Sequence, residues 1–394
     1  MRASLTTTGS RRPGSRIPGI EPRGGSPILG IAPEGAHIQG DESTVAGIVA
    51  IGRNEGERLR RCLESLSGRA RAIVYVDSGS TDGSVALARS AGADAVELDP
   101  DSPFTAARAR NAGFDRLMEL SPDVEFVQFV DGDCELDPAW LASALSAMRA
   151  RSDVAVVCGR RRERSPAASV YNRLCDVEWD TPVGEARACG GDALVRAQSF
   201  RRAGGYDPAM IAGEEPDLCL RLSRLGYRVL RIDAEMTLHD AAMTRWTQWW
   251  QRAVRTGHTT AELLAKYGAA PEHRRLRRAL SALFWALLVP AAGLALFLGT
   301  LRALGPAWAA VALLAPALLY ARPFARARRA CRRAERSPAD ARAYALSCVL
   351  AKWPETWGML LYLARRAAGR EASWIEYKDG ARGFERAGKA LRRA

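Results

Sequence analysis

Phe126-Val127-Gln128-Phe129-Val130-Asp131-Gly132-Asp133 is the stretch on which the reading of the fold turns. A run of aromatic and β-branched residues breaks into two carboxylates one residue apart, which reads as a buried strand entering a turn. A strand that ends in Asp-x-Asp sets hard oxygen ligands at a sheet's edge, where a divalent cation and a diphosphate can meet. By itself the tripeptide is weak, because Asp and Gly are ordinary turn residues. Its surroundings decide.

Upstream, strands and helices alternate. Val45–Ile51, Ala72–Val76 and Ala93–Leu98 read as strands, and Glu57–Leu66, Ser84–Ser90 and Ala106–Leu120 as helices. The first helix carries Leu59, Cys62, Leu63 and Leu66 on one face. This rhythm predicts an α/β fold with a mostly parallel sheet and helices on both faces. Such sheets receive ligands at the carboxyl ends of their strands, and Asn54, Asp77 and Asp131 all fall at such ends. No Gly-x-Gly-x-x-Gly follows the first strand and no phosphate-loop signature occurs, so the dinucleotide and P-loop readings lose their main support.

The 394 residues allow one sizeable domain and something extra, and an apolar fraction of 47% is that of a folded protein. Eight scattered cysteines without a Cys-x-x-Cys pair argue against a zinc site or a disulfide framework. The net charge of +13 is concentrated late: residues 322–394 hold 18 Lys and Arg against 7 Asp and Glu. Nothing resembles a nucleic-acid module, and neighbouring apolar segments favour anionic lipid as the partner of this charge. Residues 1–43, rich in Gly, Pro, Ser and Arg, predict a disordered leader rather than an export signal.

Beyond Gly268 the character changes. Ala279–Leu301 and Ala303–Ala321 are uncharged runs of 23 and 19 residues, each near the ~20 residues that a bilayer core requires. Arg274, Arg275, Arg277 and Arg278 precede them, and Arg322, Arg326, Arg328, Arg329, Arg332 and Arg333 follow. The positive-inside rule then places both ends of a transmembrane hairpin, 279–321, in the cytoplasm. A basic cytoplasmic tail, 322–394, follows, with a membrane-associated helix at 344–363 that reads equally as a surface, re-entrant or spanning segment. Between the sheet domain and the hairpin, 244–268 places Trp246, Trp249, Trp250, Ala253 and Val254 on one helical stripe beside Arg245, Arg252 and Arg255. That pattern suits either a helix in the lipid headgroup layer or one packed on the domain before it.

From Thr44 to about Gly268 the chain resembles a family 2 glycosyltransferase with the GT-A fold, its catalytic domain covering 44–243. Six motifs in family order carry the resemblance. They are Ile51-Gly52-Arg53-Asn54-Glu55, Val76-Asp77-Ser78-Gly79-Ser80-Thr81-Asp82-Gly83, Ala109-Arg110-Asn111-Ala112-Gly113, Asp131-Gly132-Asp133, Gly190-Gly191-Asp192-Ala193-Leu194 and Gly213-Glu214-Glu215-Pro216-Asp217-Leu218. The resemblance implies a nucleotide-sugar donor whose base rests on Asp77, with Asn54 and Glu55 beside the nucleoside and Arg110, Asn111, Asp131 and Gly191 along the rest of the donor. It implies Mg²⁺ or Mn²⁺ on Asp133, with Asp131 near the ion or the ribose and His239 as a further ligand. Glu215 stands where the family has its general base, usually Asp, and Glu214 and Asp217 support it. Acidic residues also suit a helix N-terminus on their own account, and Asp217 with Arg221 reads as an internal i,i+4 pair.

The processive members' Gln-x-x-Arg-Trp signature is absent, since Gln248 follows Arg245-Trp246 instead of preceding it. The expectation is therefore a non-processive, metal-dependent, inverting hexosyltransferase at the inner membrane, facing the cytoplasm. Its acceptor would be a hydroxyl of a lipid-linked molecule or a glycan, as in exopolysaccharide or glycolipid assembly. A transferase to polyprenyl phosphate and a catalytically silent scaffold of a polysaccharide assembly complex are the rivals.

Overall fold

The computed structural model describes residues 45–269 and 273–369, so the expected leader and residues 370–394 of the basic tail lie outside the described residues. Seven elements alternate at the start: β1 (Ala46–Gly52), α1 (Glu57–Leu66), β2 (Ile73–Asp77), α2 (Ser84–Ser90), β3 (Asp94–Glu97), α3 (Ala106–Leu120) and β4 (Phe126–Asp131). Helix α1 buries Leu59, Cys62, Leu63 and Leu66, the i, i+3, i+4, i+7 face that its sequence spells. Thr105 caps α3, its hydroxyl accepting from the Arg108 N–H at 3.1 Å. In β4 the apolar residues are buried together with Gln128. That amide is satisfied: Trp140 Nε1 donates to it at 2.7 Å, and it donates to the Phe129 carbonyl at 2.8 Å.

Then follow β5 (Cys134–Leu136), α4 (Trp140–Ala150), β6 (Val154–Glu163), α5 (Val170–Glu178), β7 (Gly184–Ala186), β8 (Ala193–Arg196), α6 (Ala197–Arg202), α7 (Glu214–Arg224) and β9 (Arg228–His239). One sheet contains all nine strands, in the order β3-β2-β1-β4-β8-β6-β9-β5 with β7 on β9. From β3 to β4 it is parallel, as expected. Beyond β4 it is mixed, since β8 joins β4 and β6 antiparallel while β6 and β9 run parallel. Gly52 lies level with Asp77 and Ile51 with Asp131, which puts both carboxylates on one rim.

Strand β9 runs the full length from Arg228 to His239. Register shifts in β6 let the two strands stay paired as far as Glu163 opposite His239, and β5 takes the other edge through Cys134 opposite His239.

The remaining chain is helical: α8 (Trp246–Tyr267), α9 (Arg274–Leu283), a π-helical turn at Phe284–Leu288, α10 (Val289–Leu304), α11 (Pro306–Ala312), α12 (Leu314–Arg333), α13 (Pro338–Leu350) and α14 (Lys352–Ala367). The π turn lies just before Pro290, which has no N–H to continue the regular ladder. Arg274–Leu304 and Pro306–Arg333 form two apolar helices of 31 and 28 residues, each long enough for a ~30 Å hydrocarbon core at ~1.5 Å per residue. Leu288, Leu294 and Leu318 stand 61, 58 and 70% exposed along them.

Helix α8 packs on protein. Its Lys266 and Tyr267 reach Asp217 of α7, each at 2.6 Å, and its Arg252 reaches Glu178 of α5 at 2.6 Å. The segment expected at 344–363 divides at Ala351 into α13 and α14. Helix α14 crosses α8 at glycines on both sides: a Cβ on Gly257 would strike the Glu355 carbonyl, and one on Gly358 the Val254 carbonyl. Glu355 is buried and pairs with Arg278 of α9 at 3.1 Å and with Lys352 at 2.8 Å.

Candidate active site

Strand ends and one helix start supply the site. The Asp133 carbonyl accepts from the Asp240 N–H at 3.0 Å, and Cys134 pairs with His239 across β5 and β9. The ladder therefore draws Asp133 and His239 together. His239 Nε2 lies 3.3 Å from Asp133 Oδ2, and both residues are buried. Burial works against charge on His239, but the Asp133 carboxylate outweighs it and lifts the imidazole to about 9.

Asp133, Cys134 and His239 hold their ligand atoms within 4.8 Å of one another. Burial pushes the Cys134 thiol well up, which leaves as donors the Asp133 oxygen and, once an ion displaces its proton, the His239 nitrogen. That set fits Mn²⁺ or Mg²⁺. Asp131, expected beside Asp133 at the ion, groups instead with Cys134 and Asp192. Its carboxylate meets Arg110 at 2.8 Å and Arg161 at 3.5 Å, and its N–H donates to Asp192 Oδ1 at 2.9 Å. Burial opposes its charge, yet the two arginines hold it below the usual carboxylate range. Asp131 is an arginine partner first.

Arg110 is the hub. Buried at the start of α3, it pairs with Asp131 at 2.8 Å, Glu214 at 2.8 Å and Glu215 at 3.4 Å. It thus pins the acidic end of α7 to the end of β4. Burial, and then the neighbouring Glu214 charge, push the Glu215 carboxyl up to about 7. Its side chain keeps 17% of its surface open. A Cβ on Gly191 would lie 2.5 Å from Asp131 Oδ2, so glycine is what admits the Arg110–Asp131 pair.

At the other end of the rim, Asp77 is buried, and its oxygens accept from Gly79 N at 2.9 Å, Ser80 N at 2.7 Å and Tyr75 Oη at 3.0 Å. It shapes the 78–83 turn from within. Asn54, at φ 54°, fastens to that turn: its Oδ1 accepts from Thr81 N at 2.8 Å and its N–H donates to Ser80 Oγ at 2.9 Å. Glu55 is buried and meets Arg58 at 2.8 Å. Asn111 clamps the Tyr206 backbone through two hydrogen bonds, of 2.8 and 2.9 Å. Asp217 holds Arg221 at 2.7 Å, as its spacing predicted, together with Lys266 and Tyr267.

Four residues escaped the sequence reading. Arg161 meets Asp192 at 2.8 Å and lies 5.5 Å above the Trp179 ring. Trp179 in turn sets its edge on His239, with centroids 4.6 Å apart. Asp192 lies in the Gly190–Leu194 motif, but nothing in the run Arg160-Arg161-Arg162-Glu163-Arg164 marks which side chains face inward.

Residues 48–186 match the family model described as glycosyl transferase family 2. This region belongs to that family. Among curated proteins the chain is similar to the succinoglycan biosynthesis protein ExoA of Rhizobium meliloti, 26% identical over 231 residues, which are 56% of this chain and 68% of that protein. It is also similar to the pre-mycofactocin glycosyltransferase of Mycobacterium tuberculosis, 29% identical over 234 residues, with under half of that protein's length (46%) spanned. Among solved structures, the mannosyltransferase PcManGT of Pyrobaculum calidifontis, in complex with GDP-Man and Mn²⁺, aligns over 82% of this chain and 86% of its own at a TM-score of 0.47 and 19% identity. Glucosyl-3-phosphoglycerate synthase of Mycobacterium tuberculosis, with Mn²⁺, UDP and glucosyl-3-phosphoglycerate, aligns over 58% and 81% at 0.41 and 18%.

Proposed function

We propose that this glycosyltransferase moves a sugar, with inversion, from a nucleotide-sugar donor to an acceptor hydroxyl at the cytoplasmic face of the inner membrane. The observation that carries the reading is Arg110, whose one guanidinium touches Asp131 beside the Asp133–His239 pair and Glu215 at the start of α7. Carboxylates 84 residues apart in sequence thereby line one rim. Glu215 then takes the proton from the acceptor oxygen as that oxygen bonds to the anomeric carbon. The bond from that carbon to the diphosphate oxygen breaks on the opposite side, and its electron pair leaves with the nucleotide. A divalent ion on Asp133 Oδ2 and His239 Nε2 would supply positive charge to the departing diphosphate. The turn shaped by Asp77 and Asn54 receives the nucleoside, and Gly191 faces the donor sugar.

The succinoglycan relative favours an acceptor in exopolysaccharide or glycolipid assembly, and the two apolar helices suit a lipid-linked one. The test is nucleotide release by the full chain from UDP-, GDP- and dTDP-sugars with Mn²⁺ and membrane extract. Release with one donor, abolished by chelation and by Asp133→Ala, is the expected result. Silence with every donor would turn the reading over to a scaffold.

A further inference from the structure

We propose that Glu163 is the positioning residue of the metal centre, fixing the His239 ring so that Nε2 faces Asp133; the inference rests on the metal-dependent reading above. Glu163 sits beside His239 in the β6–β9 register, so the two side chains share a face of the sheet. Its side chain is wholly buried, with Oε2 lying 3.8 Å from His239 Nδ1, on the far side of the ring from Asp133. Nδ1 is buried and makes no hydrogen bond. Among the described residues, His239 is the single cationic group paired with this carboxylate.

The carboxylate is itself held from three directions. Oε1 accepts from Ser165 N at 3.1 Å and Asn172 Nδ2 at 3.0 Å, and Oε2 accepts from Ala241 N at 3.1 Å. All three donors are neutral, so they fix its direction without cancelling its charge. A histidine that ligates through Nε2 must carry its remaining proton on Nδ1, and a fixed carboxylate behind the ring selects that tautomer. Trp179, edge-on to the imidazole, limits the ring's other motions. Glu163 touches neither donor nor acceptor in this arrangement and acts through His239.

The test is Mn²⁺ affinity of the full chain by electron paramagnetic resonance, without substrate, in wild type, Glu163→Gln, Glu163→Asp, His239→Ala and the Glu163→Gln/His239→Ala double variant. Glu163→Gln is expected to weaken Mn²⁺ by ~10- to 100-fold, with turnover recovering at excess Mn²⁺. Glu163→Asp, which keeps the charge, should fall between. In the His239→Ala background Glu163→Gln should cost nothing further. Equal affinity in both Glu163 variants, or losses that add in the double variant, overturns the assignment while leaving the metal reading intact. If wild type itself binds no Mn²⁺, the metal reading falls and takes this one with it. A Glu163→Gln chain that fails to fold leaves the Asp variant to decide.

Discussion

Glu215 is where burial becomes chemistry. A carboxyl at its ordinary value would be ionised but a feeble base at neutral pH, and a fully desolvated one would not ionise at all. Enclosure and the Glu214 charge bring it to about 7, while Arg110 at 3.4 Å keeps it from rising further. Below that value the group holds its proton and cannot take another from the acceptor. Turnover should therefore climb with pH through about 7 and level off above it. Glu215→Gln should remove that limb and lower kcat by ~10²- to 10⁴-fold for a hydroxyl acceptor. An acceptor that arrives as an anionic phosphate needs no base, so a small loss in Glu215→Gln would favour the polyprenyl-phosphate rival. Stability runs the other way. Between the unfolded value near 4.5 and the folded value near 7 the native protein binds the extra proton, so this group's contribution to stability declines as pH rises across that window.

At the scale of elements, what could be read in the sequence is what local pattern dictates. Helices α1, α2 and α3 begin and end at the expected residues because each has a one-sided apolar stripe and a clear break. The Asp133–His239 meeting was legible only through the family resemblance, since it depends on β9 running on to pair with β5. Long-range partners were not. Nothing local in Arg110 announces that its fork serves both Asp131 and Glu214, and the run Arg160–Arg164 does not reveal that Arg161 and Glu163 point inward. Register shifts in β6 make that choice, and a shift of one residue reverses which side chains face in. Helix α8 shows the same limit. Its tryptophan stripe permits a membrane face or a protein face, and the glycines that decide lie 101 residues apart, Gly257 on α8 and Gly358 on α14. Their crossing leaves no room for a side chain, so Gly257→Val should force the two backbones apart. The expected loss is ~1–3 kcal/mol, read as a lower unfolding temperature of the detergent-solubilised chain. The same substitution at Gly268, which meets no neighbouring atom within 4 Å, strains only its own positive φ and serves as the comparison for lost glycine flexibility. If the two variants melt alike, the crossing is looser than the backbone distances imply.

For the whole molecule, α14 fixes the sheet domain to the apolar helices. It packs on α8, which holds α7 through Asp217, and its Glu355 grips Arg278 at the base of the first apolar helix. If those helices cross a bilayer, the site is held at a set height above the lipid rather than tethered loosely to it. Charge then determines the direction. Arg274, Arg275, Arg277 and Arg278 stand before the pair and five arginines from Arg326 to Arg333 after it, while Arg302 is alone at the intervening turn. Moving either basic end outward would oppose the positive-inside bias. A cysteine at Leu304, beside the turn, should react with a membrane-impermeant maleimide in intact cells, and one at Glu335 only after permeabilisation, each measured over the native cysteines. The reverse pattern would put the active site outside, away from nucleotide sugars. Protection of both in intact cells would mean that the hairpin lies on the inner face without crossing, with its exposed leucines buried in a single leaflet.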